Sequence, residues 1–277
     1  MSALLFELKG KPDQRLDLSP LVPSKLKDLK AKEVEALVVG TTRDKLTVGD
    51  CFKVKGKDAE SIGFAGTDGR CDKIGAGLKQ GEILVEGDAG AYLGAGMKGG
   101  KIEVKGNAGV LAGASMAGGA IAISGDTGER AGGILVGETL GMRGGLLTIG
   151  GNAGPLLGER MRRGLVIVNG DAGDYLGGRM IAGTILVRHR VGRFAGYGLR
   201  RGSLILLEEP KELLPTFGDC GVMDFTYLRL LEHWLRETGR AISLGCRARR
   251  LMGDQGEHGL PRMKAKDYPV LDRCARP

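Results

Sequence analysis

The sequence predicts an all-β chain that folds as a right-handed parallel β-helix. Three observations support this fold: a 19-residue repeat, glycine at two fixed positions of every copy, and apolar residues paired two positions apart. The clearest copies begin at Gly87, Gly106, Gly151 and Gly170, where the steps are 106 − 87 = 19 and 170 − 151 = 19. A fixed repeat of about 20 residues is typical of a solenoid. With a weaker copy before these, a longer one from Gly125 and a degenerate one after them, about seven coils are expected.

Glycine and apolar residues occupy the same columns in each copy. The apolar pairs, such as Ile102 and Val104, have a period of two, so both side chains point to one face of a short strand. Glycine is expected at the corners, where the chain turns with positive φ or passes close to a neighbour. The two glycine columns are Gly75, Gly94, Gly113, Gly132, Gly158, Gly177, Gly196, and Gly81, Gly100, Gly119, Gly145, Gly164, Gly183, Gly202. The column between them is Leu78, Met97, Met116, Met142, Met161, Met180 and Leu199.

Two local features of the repeat carry further expectations. The copy from Gly125 reaches Gly151 after 26 residues, so it holds seven extra residues, near Gly133 to Thr139. Asp or Asn follows the first glycine of five copies, and such residues favour turns because their side chains bond their own backbone. These five residues are Asp88, Asn107, Asp126, Asn152 and Asp171.

One stretch matches the dinucleotide-binding fingerprint G-x-G-x-x-G, with glycine at Gly94, Gly96 and Gly99. A nucleotide-binding turn needs a buried strand before it, a helix after it and an acidic residue about 20 positions on. No helical period follows Gly99. The match is therefore interpreted as turn glycines of one coil.

The chain is expected to divide into an N-terminal cap over residues 1–66, the β-helix over 67–208, and a C-terminal helix and tail over 209–277. A solenoid exposes a strand edge at each end, and caps cover such edges. The cap is expected to hold short strands in "ALLFELKG", "ALVV" and "LTVGDCFKVKG" around a helix near Ser24 to Lys32. In the last segment Phe225, Leu228, Leu231 and Trp234 or Leu235 recur at helical spacing. This helix is expected to be a cap, or else to dock on a partner, before a polar tail that follows Arg247, Arg249 and Arg250.

Composition narrows the class of protein. Among 277 residues there are 50 glycines and only 4% aromatic residues, and the formal net charge is +8. Glycine does not fall at every third position, which excludes collagen. We expect a cytoplasmic protein, because no signal peptide or membrane-spanning stretch is apparent and the five cysteines form no C-x-x-C pair. The basic charge leaves nucleic acid, anionic lipid and an acidic protein open as partners.

A column of cations follows the methionine column and is the candidate site. Stacked coils place these residues in a row, and like charges in register repel, which suggests either solvation or an anionic partner. No aromatic stacking platform accompanies the row, which argues against single-stranded nucleic acid. The row is Lys79, Lys98, Ala117, Arg143, Arg162, Ile181 and Arg200, with Arg163 and Arg201 beside it.

Catalytic motifs are not apparent in the sequence. The three histidines, His189, His233 and His258, have no metal-ligand spacing with Cys, Asp or Glu. Asp219 and Cys220 are adjacent reactive types without a positioned partner. Walker, G-x-S-x-G and H-E-x-x-H motifs are absent. We therefore expect no catalytic, cofactor-binding or metal-binding residues on this chain.

The consensus G-D/N-A-G-x-x-x-G-x-x-M-x-x-G-x-I-x-V resembles the G-x-G-x-G β-helix of two families. One is the C-terminal domain of the glutamate synthase large subunit. The other is the C-type subunit of formylmethanofuran dehydrogenase and of its bacterial relative, the formyltransferase/hydrolase complex. The second family is the closer match, because three further features of the sequence resemble it. These are the longer coil around "GETLGMRGG", the segment "LDLSPLVPSKLKDL" before "LTVGDCFKVKG", and "LLPTFGD" after the last coil. The resemblance covers nearly the whole chain.

The resemblance implies a non-catalytic scaffold subunit of a hetero-oligomer. Its partners would be hydrolase, formyltransferase and dehydrogenase-like subunits. The complex would move a formyl group from formyl-tetrahydromethanopterin to a methanofuran-type carrier and hydrolyse it to formate, with a metal in the hydrolase subunit. The polyglutamate chain associated with the bacterial carrier gives the cationic column an anionic candidate.

Two other functions are considered. The C-type subunit of an archaeal tungsten or molybdenum formylmethanofuran dehydrogenase would have the same fold and motifs. A β-helix acyltransferase is more distant, because such enzymes usually show a hexapeptide period and a catalytic histidine, whereas here the period is nineteen.

Overall fold

The structure, a computed structural model, describes residues 3–43, 45–240 and 242–253, and the backbone of 269–270. Its central feature is a stack of parallel strands, one per coil, so the predicted parallel β-helix is confirmed. The chain enters it through β1 (Ala3–Leu8), β2 (Leu16–Asp17), β3 (Phe52–Lys55), β4 (Asp58–Ala65) and β5 (Cys71–Asp72). The seven repeat coils supply β6 (Glu82–Glu86), β7 (Lys101–Val104), β8 (Ala120–Ile123), β9 (Arg143–Ile149), β10 (Arg163–Val168), β11 (Thr184–Val187) and β12 (Ser203–Leu206).

The regular coils begin one coil before the sequence repeat. Strand β4 pairs in parallel with β6, placing Ile62 beside Ile83 and Phe64 beside Val85. Within the described residues the β-helix therefore has eight coil strands, β4 and β6 to β12, although the first of them lacks the two glycine columns of the repeat. The apolar alternation of β4 places Ile62 and Phe64 in the same core as the later coils.

The interior is formed by the predicted apolar columns. Met97, Met116 and Met142 are fully buried, and the Ile and Val pairs fill the same core. The predicted corner glycines have φ between +58° and +76° in the first column and between +81° and +107° in the second. A side chain at either column would be strained, because L residues rarely adopt this backbone region.

The Asp and Asn column works differently from the prediction. Each side chain accepts a hydrogen bond from the backbone N–H one coil later rather than from its own turn. Asp88 Oδ1 accepts from Asn107 N at 2.7 Å, and Asn107 Oδ1 accepts from Asp126 N at 2.8 Å. The series continues through Asn152 and Asp171. These side chains therefore hold successive coils together at the corner that follows the strands.

The N-terminal segment closes one end of the core. Strand β1 lies parallel to β4 and antiparallel to β3, and the rings of Phe6 and Phe64 stack at a centroid distance of 5.3 Å. Three short helices replace the one predicted: α1 (Pro23–Leu26), α2 (Ala31–Glu35) and α3 (Val48–Cys51). The last of these interrupts the strand predicted in "LTVGDCFKVKG", because Thr47 and Asp50 form a reciprocal capping box there.

The predicted C-terminal helix is α4 (Thr226–Glu237), and it ends before Gly239, whose φ is +78°. It lies over the outer face of the sheet instead of capping the end of the core. Its buried residues Leu228, Leu231 and Leu235 form a second core with the outward side chains of β10, β11 and β12.

The end of the core is covered by the segments around α4. The open edge of β12 pairs with β15 (Pro269–Val270), which is joined through β14 (Arg247–Met252) to β13 (Gly218–Asp224). Phe217 also packs against the main core. Arg247, Arg249 and Arg250, which precede the predicted tail, belong to strand β14, and most of the tail lies outside the described residues.

Matched glycines test the packing of the coils. An ideal Cβ on Gly100 would lie 2.6 Å from the carbonyl oxygen of Gly81, whereas one on Gly137 would meet nothing within 4 Å, at nearly the same φ of +81° and +86°. Gly137→Ala should lower the free energy of unfolding by about 1–2 kcal/mol, the usual cost of a left-handed L residue. Gly100→Ala adds the clash with the Gly81 carbonyl oxygen and should lower the free energy of unfolding clearly more, as measured by chemical denaturation. Equal losses in the two variants would contradict this packing.

Candidate functional site

The cationic column lies on the outside of the β-helix, one residue after the buried methionine column. Its backbone is held to the preceding coil: Lys98 N donates to the Leu78 carbonyl at 2.7 Å, and Arg162 N donates to the Met142 carbonyl at 2.8 Å. The structure therefore arranges these residues in one row, one per coil. The cationic side chains Lys79, Lys98, Arg143, Arg162, Arg163, Arg200 and Arg201 are all exposed.

Arg143 differs from the other members of the row. Its Nη2 lies 3.7 Å from Glu138 Oε2, on the seven-residue insertion, and 3.5 Å from the Ser115 carbonyl. Arg163 is its register partner on the adjacent strand. The other six cations form no ion pair with any described residue. Arg143 thus has an acidic neighbour on the insertion, whereas the other six cations have none among the described residues.

Charge is unevenly distributed along the β-helix, a feature that the column pattern did not predict. Residues 87–150 contain five cations and five acidic residues, a net charge of 5 − 5 = 0. Residues 151–207 contain nine arginines, no lysine and three acidic residues, a net charge of 9 − 3 = +6. Most of the excess positive charge of the chain therefore lies on its last three coils. Counting charge per coil would have revealed this from the sequence.

An exposed aromatic cluster on the same three coils was also not predicted. The rings of Tyr175 and Phe194 stack at 4.9 Å, and the ring of Tyr197 meets that of Tyr175 edge-on at 6.0 Å. Tyr175 and Phe194 are 19 residues apart, at the same position of successive coils. Their exposed fractions, 36% and 40%, are high for large rings in direct contact. The 19-residue spacing was the available signal.

The histidine and cysteine side chains that the structure describes lie apart from one another and do not form a shared site. His189 Nδ1 lies 3.1 Å from Glu208 Oε1, and His233 Nε2 lies 3.2 Å from Glu237 Oε1, both at the surface. Burial raises the pKa of the Cys71 thiol to about 11. Within the part of the chain that the structure describes, no three His, Cys, Asp or Glu residues are grouped as a metal site. His258 lies outside the described residues.

A cavity of about 310 Å³ lies beside α4 and is lined by Arg229, Glu232, His233, Arg236, Gly245 and Cys246. The carboxylate in this lining already has partners. Glu232 Oε1 accepts from Arg236 at 2.9 Å, and Oε2 accepts from the backbone N–H groups of Leu244 and Gly245. These bonds fasten the loop after the helix, so we interpret the carboxylate as structural.

The fold and these surfaces define a class of protein: a parallel β-helix that carries rows of cationic and aromatic side chains on its outside. A family model for the GXGXG motif matches residues 48–222. The chain belongs to this GXGXG family.

Two matches, one in sequence and one in structure, are to proteins of the same type of complex. The chain is 43% identical over 88 residues to the C-type subunit of the formyltransferase/hydrolase complex Fhc of Methylorubrum extorquens, across 32% of this chain and 33% of that protein. This alignment thus spans about a third of the curated relative. A crystal structure of the complex FhcABCD from the same organism, with methylofuran, contains a chain that matches with a TM-score of 0.89 and 39% identity. That match covers 96% of this chain and 99% of the other. The predicted resemblance to the C-type subunit is confirmed.

The sequence shows no apparent membrane-spanning stretch, and the helices of the structure agree. None of those in the described ranges has the length and apolar character that crossing a membrane requires.

Thiol labelling tests the burial of the cysteines. Cys220 is exposed, whereas Cys71 is buried and its pKa is raised by that burial, so very little thiolate forms at neutral pH. A maleimide reagent at neutral pH should therefore label Cys220 quickly and Cys71 only after denaturation, as read by peptide mass spectrometry. The denatured protein is the control for intrinsic reactivity. Rapid labelling of native Cys71 would contradict its place in the core.

Proposed function

We propose that this chain is a non-catalytic scaffold subunit of a cytoplasmic formyltransferase/hydrolase complex. The observation that carries the proposal is the near-complete overlap of its fold with one chain of the methylofuran-bound complex. The overlap includes the caps as well as the repeat, which favours the same role in assembly over a shared repeat alone.

In this proposal the chemistry takes place on the partner subunits. A formyltransferase subunit would pass the formyl group from formyl-tetrahydromethanopterin to a methanofuran-type carrier, and a metal-dependent hydrolase subunit would release formate. A dehydrogenase-like subunit would complete the hetero-oligomer. This chain would hold the sites at fixed separations, for which a β-helix is suited because every coil is tied to the next by backbone hydrogen bonds.

The cationic column is proposed to contact an anionic part of that assembly. Arg162, Arg163, Arg200 and Arg201 are exposed and carry no carboxylate partner among the described residues. Arg guanidinium groups bind carboxylates with paired hydrogen bonds, so an acidic protein segment or a carboxylate-bearing carrier would fit the row.

Purification from native cells tests the scaffold role. A tagged copy should bring down a hydrolase and a formyltransferase subunit in a fixed ratio, because a scaffold is a stoichiometric component. Native mass spectrometry of the intact complex gives that ratio. An untagged strain is the control for background binding. Recovery of the chain alone, or as a homo-oligomer only, would overturn the proposal. Recovery with a molybdopterin- or tungstopterin-binding subunit would instead identify the dehydrogenase type of complex.

Charge reversal tests the cationic column. Arg162→Glu with Arg200→Glu should reduce recovery of the partner subunits, or of bound carrier, at least tenfold, because two exposed cations of one row become repulsive. The control is Lys27→Glu with Lys57→Glu, which reverses two exposed cations of the N-terminal segment. If partner subunits and carrier are recovered equally with both variants, the row has no role in assembly.

A further inference from the structure

The aromatic cluster and the arginines around it form one surface on the last three coils. We call it the arginine–aromatic face and define it by Tyr175, Phe194, Tyr197, Arg179 and Arg193. Backbone hydrogen bonds fix their relation: Tyr175 N donates to the Arg193 carbonyl at 2.8 Å, and Arg179 N donates to the Tyr197 carbonyl at 2.6 Å. The face thus carries three rings and two arginines on coils whose backbones are hydrogen-bonded to each other.

The β-helix itself does not require rings at these positions. Tyr175 and Phe194 both have φ of +58°, in the left-handed region that large side chains rarely adopt. In the other five coils the same position, with φ of +58° to +63°, is filled by Lys73, Tyr92, Leu111, Arg130 and Leu156. Charged and aliphatic residues therefore complete the same turn. The positive φ is common to this position in all seven coils and belongs to the repeat, whereas Tyr175 and Phe194 stand out because their exposed rings stack across adjacent coils.

Arg179 and Arg193 have few acidic partners among the described residues. Arg179 has no ion pair with a described residue. Arg193 Nε is 3.9 Å from Glu212 Oε1, and both side chains are more than 60% exposed, so this pair contributes little. The surrounding coils carry the net charge of +6 described above. Apolar rings bordered by available arginines are the composition of a protein–protein hot spot, where Tyr, Trp and Arg are enriched.

We propose that the arginine–aromatic face docks an acidic protein subunit, which places an apolar side chain against the rings and carboxylates against Arg179 and Arg193. This inference rests on the proposed function, because it assigns the face by which the scaffold holds one of its partners. A protein fits better than single-stranded nucleic acid. Tyr175 and Phe194 stack on each other at 4.9 Å and leave no space for a base between them.

Substitution of the rings by asparagine tests the face without disturbing the turn, because Asn tolerates the left-handed region. The test variant is Tyr175→Asn with Phe194→Asn. The matched control is Tyr92→Asn, at the same coil position with φ of +63° in the electrically neutral half of the β-helix. A second variant, Arg179→Glu, changes the charge and keeps the rings. Partner subunits recovered with the full chain from native cells are quantified by mass spectrometry.

We expect wild type and Tyr92→Asn to recover the partners equally, and both test variants to lose one acidic subunit at least tenfold at an unchanged melting temperature. Should the aromatic variant melt early, Arg179→Glu alone decides the outcome. Undiminished recovery with both variants would overturn the docking face and leave the scaffold role intact. Recovery abolished by nuclease would favour nucleic acid and overturn it as well. Absence of any partner in the wild-type purification would overturn the scaffold role together with the face.

Discussion

The hydrogen bonding of each coil to the next at a spacing of 19 residues is the constraint on which the rest of the structure depends. It requires two kinds of glycine. Gly94 and its equivalents turn the corner with positive φ, whereas Gly109 lies against the preceding coil, where an ideal Cβ would be 2.8 Å from the Gly90 carbonyl carbon. A side chain at the first position would strain the backbone, and one at the second would push two coils apart. The high glycine content therefore follows from the stacking geometry.

Because the spacing is fixed, every column of the sequence becomes a row in space. The inward rows are uniform, since they share one dry core, and the outward rows are free to vary. The centre of the outer sheet face shows this clearly. It is Glu103, Ala122 and Thr148 on β7, β8 and β9, and then Ile167, Leu186 and Ile205 on the next three strands. The change occurs where α4 covers the sheet. The sequence thus marks where the helix lies by placing large apolar residues, buried beneath it, on three successive strands of this row.

The inner rows and the corners were predictable because they obey a period, and a period is visible in one sequence. The hydrogen bonds of Asp88 and Asn107 at the corner were not predictable. The same side chains can accept from the backbone of their own turn or from that of the next coil, and only the stacking of the coils decides between these two donors. The coil at β4 was missed because it keeps the apolar alternation and lacks the glycines. The position of α4 was not predictable from its own apolar stripe, which shows only that one face of the helix is buried. The complementary apolar row lies on strands roughly 20 to 60 residues earlier in the chain.

The candidate surfaces were harder to predict for a related reason. The cationic row was visible because its members share a column, but the aromatic cluster joins two positions of different columns, Tyr175 and Tyr197, that meet only in the folded coil. A β-helix with equivalent coils would give a partner no unique place to bind. The neutral first half and the strongly basic second half remove that equivalence, because an acidic partner is attracted far more strongly to the second. Complementary charge chiefly determines how two proteins are aligned and how fast they meet. Apolar side chains at the centre of the interface determine how long the complex lasts. The arginine–aromatic face combines both on the coils where the charge is concentrated.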